Sequence, residues 1–230
     1  MAPELVLVQG LRDTRSVLAR WNARPLATLG PWFAGAAAVC AGLLVTVLIV
    51  AHFSTPDPSG VLLPGLNEPA TLGAVGHILF RNSLVLALHG MACVAGFIAG
   101  STLPSEAERY SGLWRKVHDK AGPLAILFVI AATTFSLATQ AYSLGQSAAT
   151  LAAQGDMSSA LLLVGILPHA IPELIGLFLP LAAWTIASRR GQWDELLAAT
   201  FVTVGLAIPM VVAAAFIEVY VSPHLILALR

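Results

Sequence analysis

GILPHAIPELIGLFLP, Gly165 to Pro180, places an imidazole, a carboxylate and three prolines inside an apolar run. His169 and Glu173 stand four residues apart, which puts them on one face of a helix. A proline removes a backbone donor and crowds the turn before it. Pro168 and Pro172 therefore predict a break, with 159–167 as a short half-helix and the spanning helix starting between the two prolines. Glu173 then falls in a first turn, where the helix dipole favours a carboxylate. Carbonyls freed by the break need protein or water partners, so this region must face the protein interior.

The surroundings make that run membrane-like. The chain has 230 residues, of which 57% are hydrophobic and 10% charged, and its mean hydropathy is +0.82. A soluble domain carries about 25% charged residues. This chain cannot cover itself with polar groups, so its outer surface must meet lipid. The formal net charge is zero, and nothing in it attracts nucleic acid. Cys40 and Cys93 both fall in apolar runs and read as small buried hydrophobes, not as a disulfide framework.

A helix needs about 20 apolar residues to cross a bilayer. Five segments qualify: 31–53, 76–100, 122–147, 159–187 and 196–222. The expected fold is all-α, a polytopic bundle of about five spanning helices with the fourth broken by prolines. Residues 1–30 form an amphipathic segment with Leu7, Leu11, Leu18 and Trp21 on one face, and 31–230 form a single transmembrane domain. Arg12, Arg15, Arg20 and Arg24 precede the first span. Arg109, Arg115, Lys116 and Lys120 follow the second, and Arg189 and Arg190 follow the fourth. The segments 54–75 and 148–158 hold no lysine or arginine. The positive-inside rule then puts the N-terminus in the cytoplasm and the C-terminus outside, in a cytoplasmic (inner) membrane. The proline-rich 54–75 segment is expected to fold over the outer mouth.

Ionisable groups at membrane depth cost about 2.5–3.5 kcal/mol each on insertion scales, which makes them functional candidates. Helix rise places His169 and Glu218 roughly 28 and 34 Å above the cytoplasmic ends of their helices. Arg81 and Asn82 fall at a similar level. Arg81, Asn82, His169, Glu173 and Glu218 are therefore expected to form an outward-facing polar cluster, with Arg81 offsetting the buried carboxylates. One reading is a cluster that locks the helices. A second draws His52, His77 and His224 from the outer helix ends to His169, Glu173 and Glu218 as a metal site, with zinc the expected ion. No phosphate loop, nucleophile elbow or HExxH motif is present.

Three stretches resemble the stage II sporulation protein M family of integral membrane proteins. Pro168-His169 followed by Pro172-Glu173-Leu174 is similar to that family's Pro-His-Gly-x-x-Glu signature. AAFIEVYVSP, Ala214 to Pro223, resembles its closing segment at Glu218 and Pro223. RNSLVLALHGMACVAGFIAG, Arg81 to Gly100, resembles its Asn-containing span at Asn82, Gly90, Gly96 and Gly100. The resemblance implies a helical membrane protein with His169, Glu173 and Glu218 as the residues to watch, and a scaffold or partner subunit in cell-envelope or peptidoglycan remodelling. Its partners would be the bilayer, other membrane or cell-wall proteins, or a second copy of the chain. Two alternatives stand beside it. One is an ion- or proton-coupled channel or transporter using His169 and Glu173. The other is a membrane metal-dependent hydrolase.

Overall fold

The structure, a computed structural model, describes residues 6–102 and 111–230. Arg109, one of the basic residues that orient the chain, lies outside them. Among these residues seven α-helices follow in order. They are α1 (Val6–Ala23), α2 (Pro25–Phe53), α3 (Leu72–Phe97), α4 (Gly112–Gln154), α5 (Ser159–Arg190), α6 (Leu196–Tyr220) and α7 (Ser222–Ala228). Helix α3 runs on into a π-helical turn, Ile98–Thr102, and a 3-10 turn, Trp193–Glu195, leads into α6. Among the described residues there is no strand. Five segments are long and apolar enough to cross a membrane: Pro25–Phe53, Leu72–Gly100, Ile126–Gln154, Ser159–Arg190 and Trp193–Tyr220.

The expected break in the fourth span is absent. Pro168, Pro172 and Pro180 all lie inside one continuous helix of 32 residues. The half-helix 159–167 is therefore the first part of α5, and Glu173 sits in mid-helix, away from any first turn. Packing accounts for the difference. In a membrane a proline is tolerated where neighbouring groups take up the carbonyls it frees, and α5 is the hub of the bundle, packed against α2, α3, α4, α6 and α7. Serine 158 caps it, accepting from the Leu161 N–H. Gly191 in the left-handed conformation ends it, as expected of a glycine just past a helix.

Lipid tails are as apolar as leucine, so membrane helices associate through close packing of small residues. Helix α6 accordingly buries Ala198, Ala199, Ala207, Ala214 and Ala215, and α5 meets it with Gly176, next to Ala207, Met210 and Val211. The core runs through Trp32, Cys93, Phe178, Trp184 and Leu196. Gly96 and Gly100, spaced for backbone contact, instead make room for indoles. A Cβ on Gly96 would lie 2.7 Å from Trp184 Nε1, and one on Gly100 would strike the Trp193 ring. Gly96→Val is expected to lower stability by about 1–3 kcal/mol through overpacking, read as a fall in unfolding temperature in detergent.

Helix α4 is peripheral. Only 6% of its most apolar window is buried, against 22–39% for the other spans. It is held mainly along α2, where Gly145 sits against Val50. Helix α1 turns Thr14, Val17, Leu18 and Trp21 toward the bundle. Trp21 meets Trp32 edge to face at 5.1 Å, and Arg20 pairs with Glu195 at 2.9 Å.

The proline-rich connection between α2 and α3 is an ordered cap. The Asp57 N–H donates to Thr150 Oγ1, and the Val61 N–H donates to Gln154 Oε1. Asn67 closes the loop on Val61 and Leu63. Leu63 and Leu66 pack onto Leu162 and Ile226. Gly65, at φ +83°, lies against the Val219 carbonyl and Pro223, where a side chain would collide. Ser59 donates to the Asp57 carboxylate through its hydroxyl and its N–H, which holds that carboxyl below its ordinary value. A carboxyl depressed in the folded state stabilises its turn above the unfolded value of about 3.9 and loses that effect as pH falls through the lowered one. Amide exchange at Ser59 should therefore accelerate relative to the rest of the loop as pH falls below about 3.9.

Candidate polar chamber

Helix α3 sets Ile78, Arg81, Asn82 and Val85 on one face by their helical spacing. Helix α5 brings Glu173, Leu174 and Leu177 opposite, α6 brings Glu218, and α4 closes the side with Thr139, Gln140 and Ser143. These residues line a cavity of about 420 Å³. A second cavity of about 650 Å³ adjoins it, sharing Ile78, Arg81 and Glu218. It runs under the proline-rich cap past His77 and Glu68. The two meet at Ile78, Arg81 and Glu218, so polar groups lie between the capped end of the bundle and Glu173, about 14 residues, or roughly 21 Å, along α5.

Its electrostatics are unbalanced. Arg81 acts on both Glu173 and Glu218, and the two carboxylates act on each other. Yet among the described residues Arg81 forms no ion pair within contact distance; the pair found there is Arg20–Glu195. Asn82 Nδ2 and Glu173 Oε2 are buried on the cavity wall; the two side chains interact, but neither atom has a partner at full hydrogen-bond geometry. A buried polar atom left unpaired costs about 1–3 kcal/mol.

Four of the five expected cluster residues therefore meet: Arg81, Asn82, Glu173 and Glu218. His169 does not line the cavity. Its Nδ1 lies 2.7 Å from the Ser222 hydroxyl, which ties α5 to the first turn of α7. Gly165, one turn earlier, lets Ile226 approach. The expected zinc site is not assembled. Among the described residues no three His, Cys, Asp or Glu side chains are placed to hold a metal. His52 meets Phe53 edge to face, His77 lines the second cavity and His169 bonds Ser222. His224 joins no such group either.

Two features had no place in the expected cluster. Thr139, Gln140 and Ser143 supply the α4 wall, and the density of hydroxyl and amide residues over 133–146 was their signal. His89 and Cys93 dock on the third proline of α5. His89, 3% exposed, donates from Nδ1 to the Leu177 carbonyl at 2.8 Å, and the Cys93 thiol donates to the Pro180 carbonyl at 3.2 Å. The carbonyl can only accept, so His89 carries its proton on Nδ1.

Five apolar helices around a polar interior define a multi-pass membrane protein. Residues 124–223 match the model of the family described as Stage II sporulation protein M. The match covers the third span to the end of the fifth and holds His169, Glu173 and Glu218. The stretch Arg81 to Gly100, which also carried the resemblance, lies outside it. No curated protein and no solved structure matches the chain.

Proposed function

We propose that the chain is an ion- or proton-handling membrane protein whose working site is the chamber formed by Arg81, Asn82, Glu173 and Glu218. One observation carries this reading: Asn82 Nδ2 and Glu173 Oε2 act on each other yet are buried on a cavity wall with no partner at full hydrogen-bond geometry. A cluster that served only to lock helices would satisfy its own polar atoms, because each orphan weakens the lock. Two carboxylates facing one guanidinium also leave one negative charge over. In a membrane interior that charge calls for a proton or a cation. In this reading the arginine-rich end lies in the cytoplasm of a bacterial-type inner membrane and the chamber opens outward beneath the proline-rich cap.

The test is flux in proteoliposomes carrying an entrapped pH dye, under an imposed proton, sodium or potassium gradient. Wild-type vesicles should pass one of these ions faster than empty ones. Glu173→Gln and Glu218→Gln should remove that flux, while His169→Gln, outside the chamber, should keep it. Wild-type vesicles as tight as empty ones under all three gradients would sink the proposal.

A second reading is a scaffold or partner subunit in the cell envelope, the role the family resemblance implies. It is favoured by the uncovered surface of α4 and by Gly30, Ala34, Ala38 and Gly42, which form an exposed row of small residues on α2. Crosslinking from cysteines placed at Ala38 would capture a neighbour in native membranes if this row is an interface. Capture no greater than from lipid-facing Val45 would count against it.

A further inference from the structure

Away from the chamber, α4 parts from α2 and α5 toward the arginine-rich end of the bundle. The gap is a lateral groove of about 650 Å³. Val39 of α2, Ile130 of α4 and Leu181 of α5 line its apolar length, and Ser188, Arg189 and Trp193 stand at its end. The Thr134 and Thr185 hydroxyls on its wall are spent on the Ile130 and Leu181 carbonyls of their own helices. That leaves the wall effectively apolar along its length. The end is different. The Ser188 hydroxyl oxygen is buried with no partner. Arg189 has no carboxylate partner among the described residues, whereas Arg20, at the same end, is paired with Glu195.

The groove thus offers hydrocarbon contact along its length and, at its end, the exposed and uncompensated Arg189 guanidinium. From Leu181 to Arg189 is eight residues, or roughly 12 Å of helix. A partner helix is too large an occupant. A helix about 10 Å across fills roughly 940 Å³ over that length. A single acyl chain is slimmer, and a volume of 650 Å³ lies within the usual range for a small-molecule site. Basic pockets between spanning helices on the cytoplasmic side suit anionic lipid head groups. We propose that this groove binds one anionic phospholipid, its phosphate on Arg189 and one acyl chain along Val39, Ile130 and Leu181.

Native mass spectrometry of the full chain in detergent tests this, with phosphatidylglycerol or phosphatidylcholine of identical acyl chains as the probe. Wild-type protein should retain phosphatidylglycerol about fivefold better than phosphatidylcholine. Arg189→Gln should bring the two lipids level. Thr134→Phe, which fills the groove and leaves the charge, should reduce retention of phosphatidylglycerol. Arg15→Gln, which removes an exposed arginine elsewhere at the same end, should leave both values unchanged. Helicity by circular dichroism confirms folding of each variant. Equal losses in Arg15→Gln and Arg189→Gln would mean diffuse surface charge and overturn the proposal. Unchanged retention in Thr134→Phe, or no lipid preference in the wild type, would also overturn it.

Discussion

Replacing His89 with alanine is expected to destabilise the bundle by about 2–4 kcal/mol, combining a lost inter-helix hydrogen bond with a cavity. The reason lies at Pro180. A proline in mid-helix cannot donate to the carbonyl four residues back, here Gly176, and its ring opens the turn. His89 reaches across from α3 and donates to Leu177, the next carbonyl in that turn. Cys93, one turn along α3, donates to Pro180 itself. The side chain is buried against Phe178, so no water can replace it. His89→Asn keeps a donor at the equivalent position and should recover about half of the loss. In a Pro180→Ala background the helix closes its own turn, and His89→Ala should then cost at least about 1 kcal/mol less. Thermal unfolding of the four proteins in one detergent reads the coupling. Equal costs of His89→Ala with and without Pro180 would show that His89 serves only as packing.

Replacing Arg81 with alanine should also be costly, and the loss should be reversible by a second substitution. Removing the guanidinium leaves Glu173 and Glu218 facing each other without a countercharge. Breaking a fully buried pair costs about 3–5 kcal/mol. Arg81 is itself exposed, so screening reduces the expected loss to about 1–2 kcal/mol. Adding Glu218→Gln removes the repulsion and should restore most of it. A double variant no more stable than Arg81→Ala alone would mean that Arg81 acts through packing of its aliphatic stem.

Composition and positional pattern made much of this fold legible. Hydropathy located all five spans, with ends off by up to seven residues, because a bilayer sets both their length and their chemistry. The polar cluster was legible for a related reason. Arg81, Asn82, Glu173 and Glu218 are costly in lipid, which singled them out, and helix rise placed them at one level. His169 has the same chemistry, but its direction depends on how α7 folds back after Val221, and a seven-residue helix leaves no periodic signature. Pro168 and Pro172 were misleading because their local effect is to interrupt a helix. Only the packing of α5 against five neighbours keeps it continuous. The role of His89 was hidden too, since it depends on the register of α3 against Pro180, a tertiary relation with no trace in either segment alone.

The claim on which the account turns is that the chamber is open to water from the capped end of the bundle. Ser143 is exposed on its wall, while Cys40 and Cys93 are buried and give a low background. A Ser143→Cys variant in sealed vesicles of known orientation, treated with a membrane-impermeant maleimide, measures the claim directly. The account predicts labelling from the side that also labels a Ser59→Cys reporter in the cap, and none from the side of Arg15. Labelling from the Arg15 side alone, or protection from both sides, would contradict it.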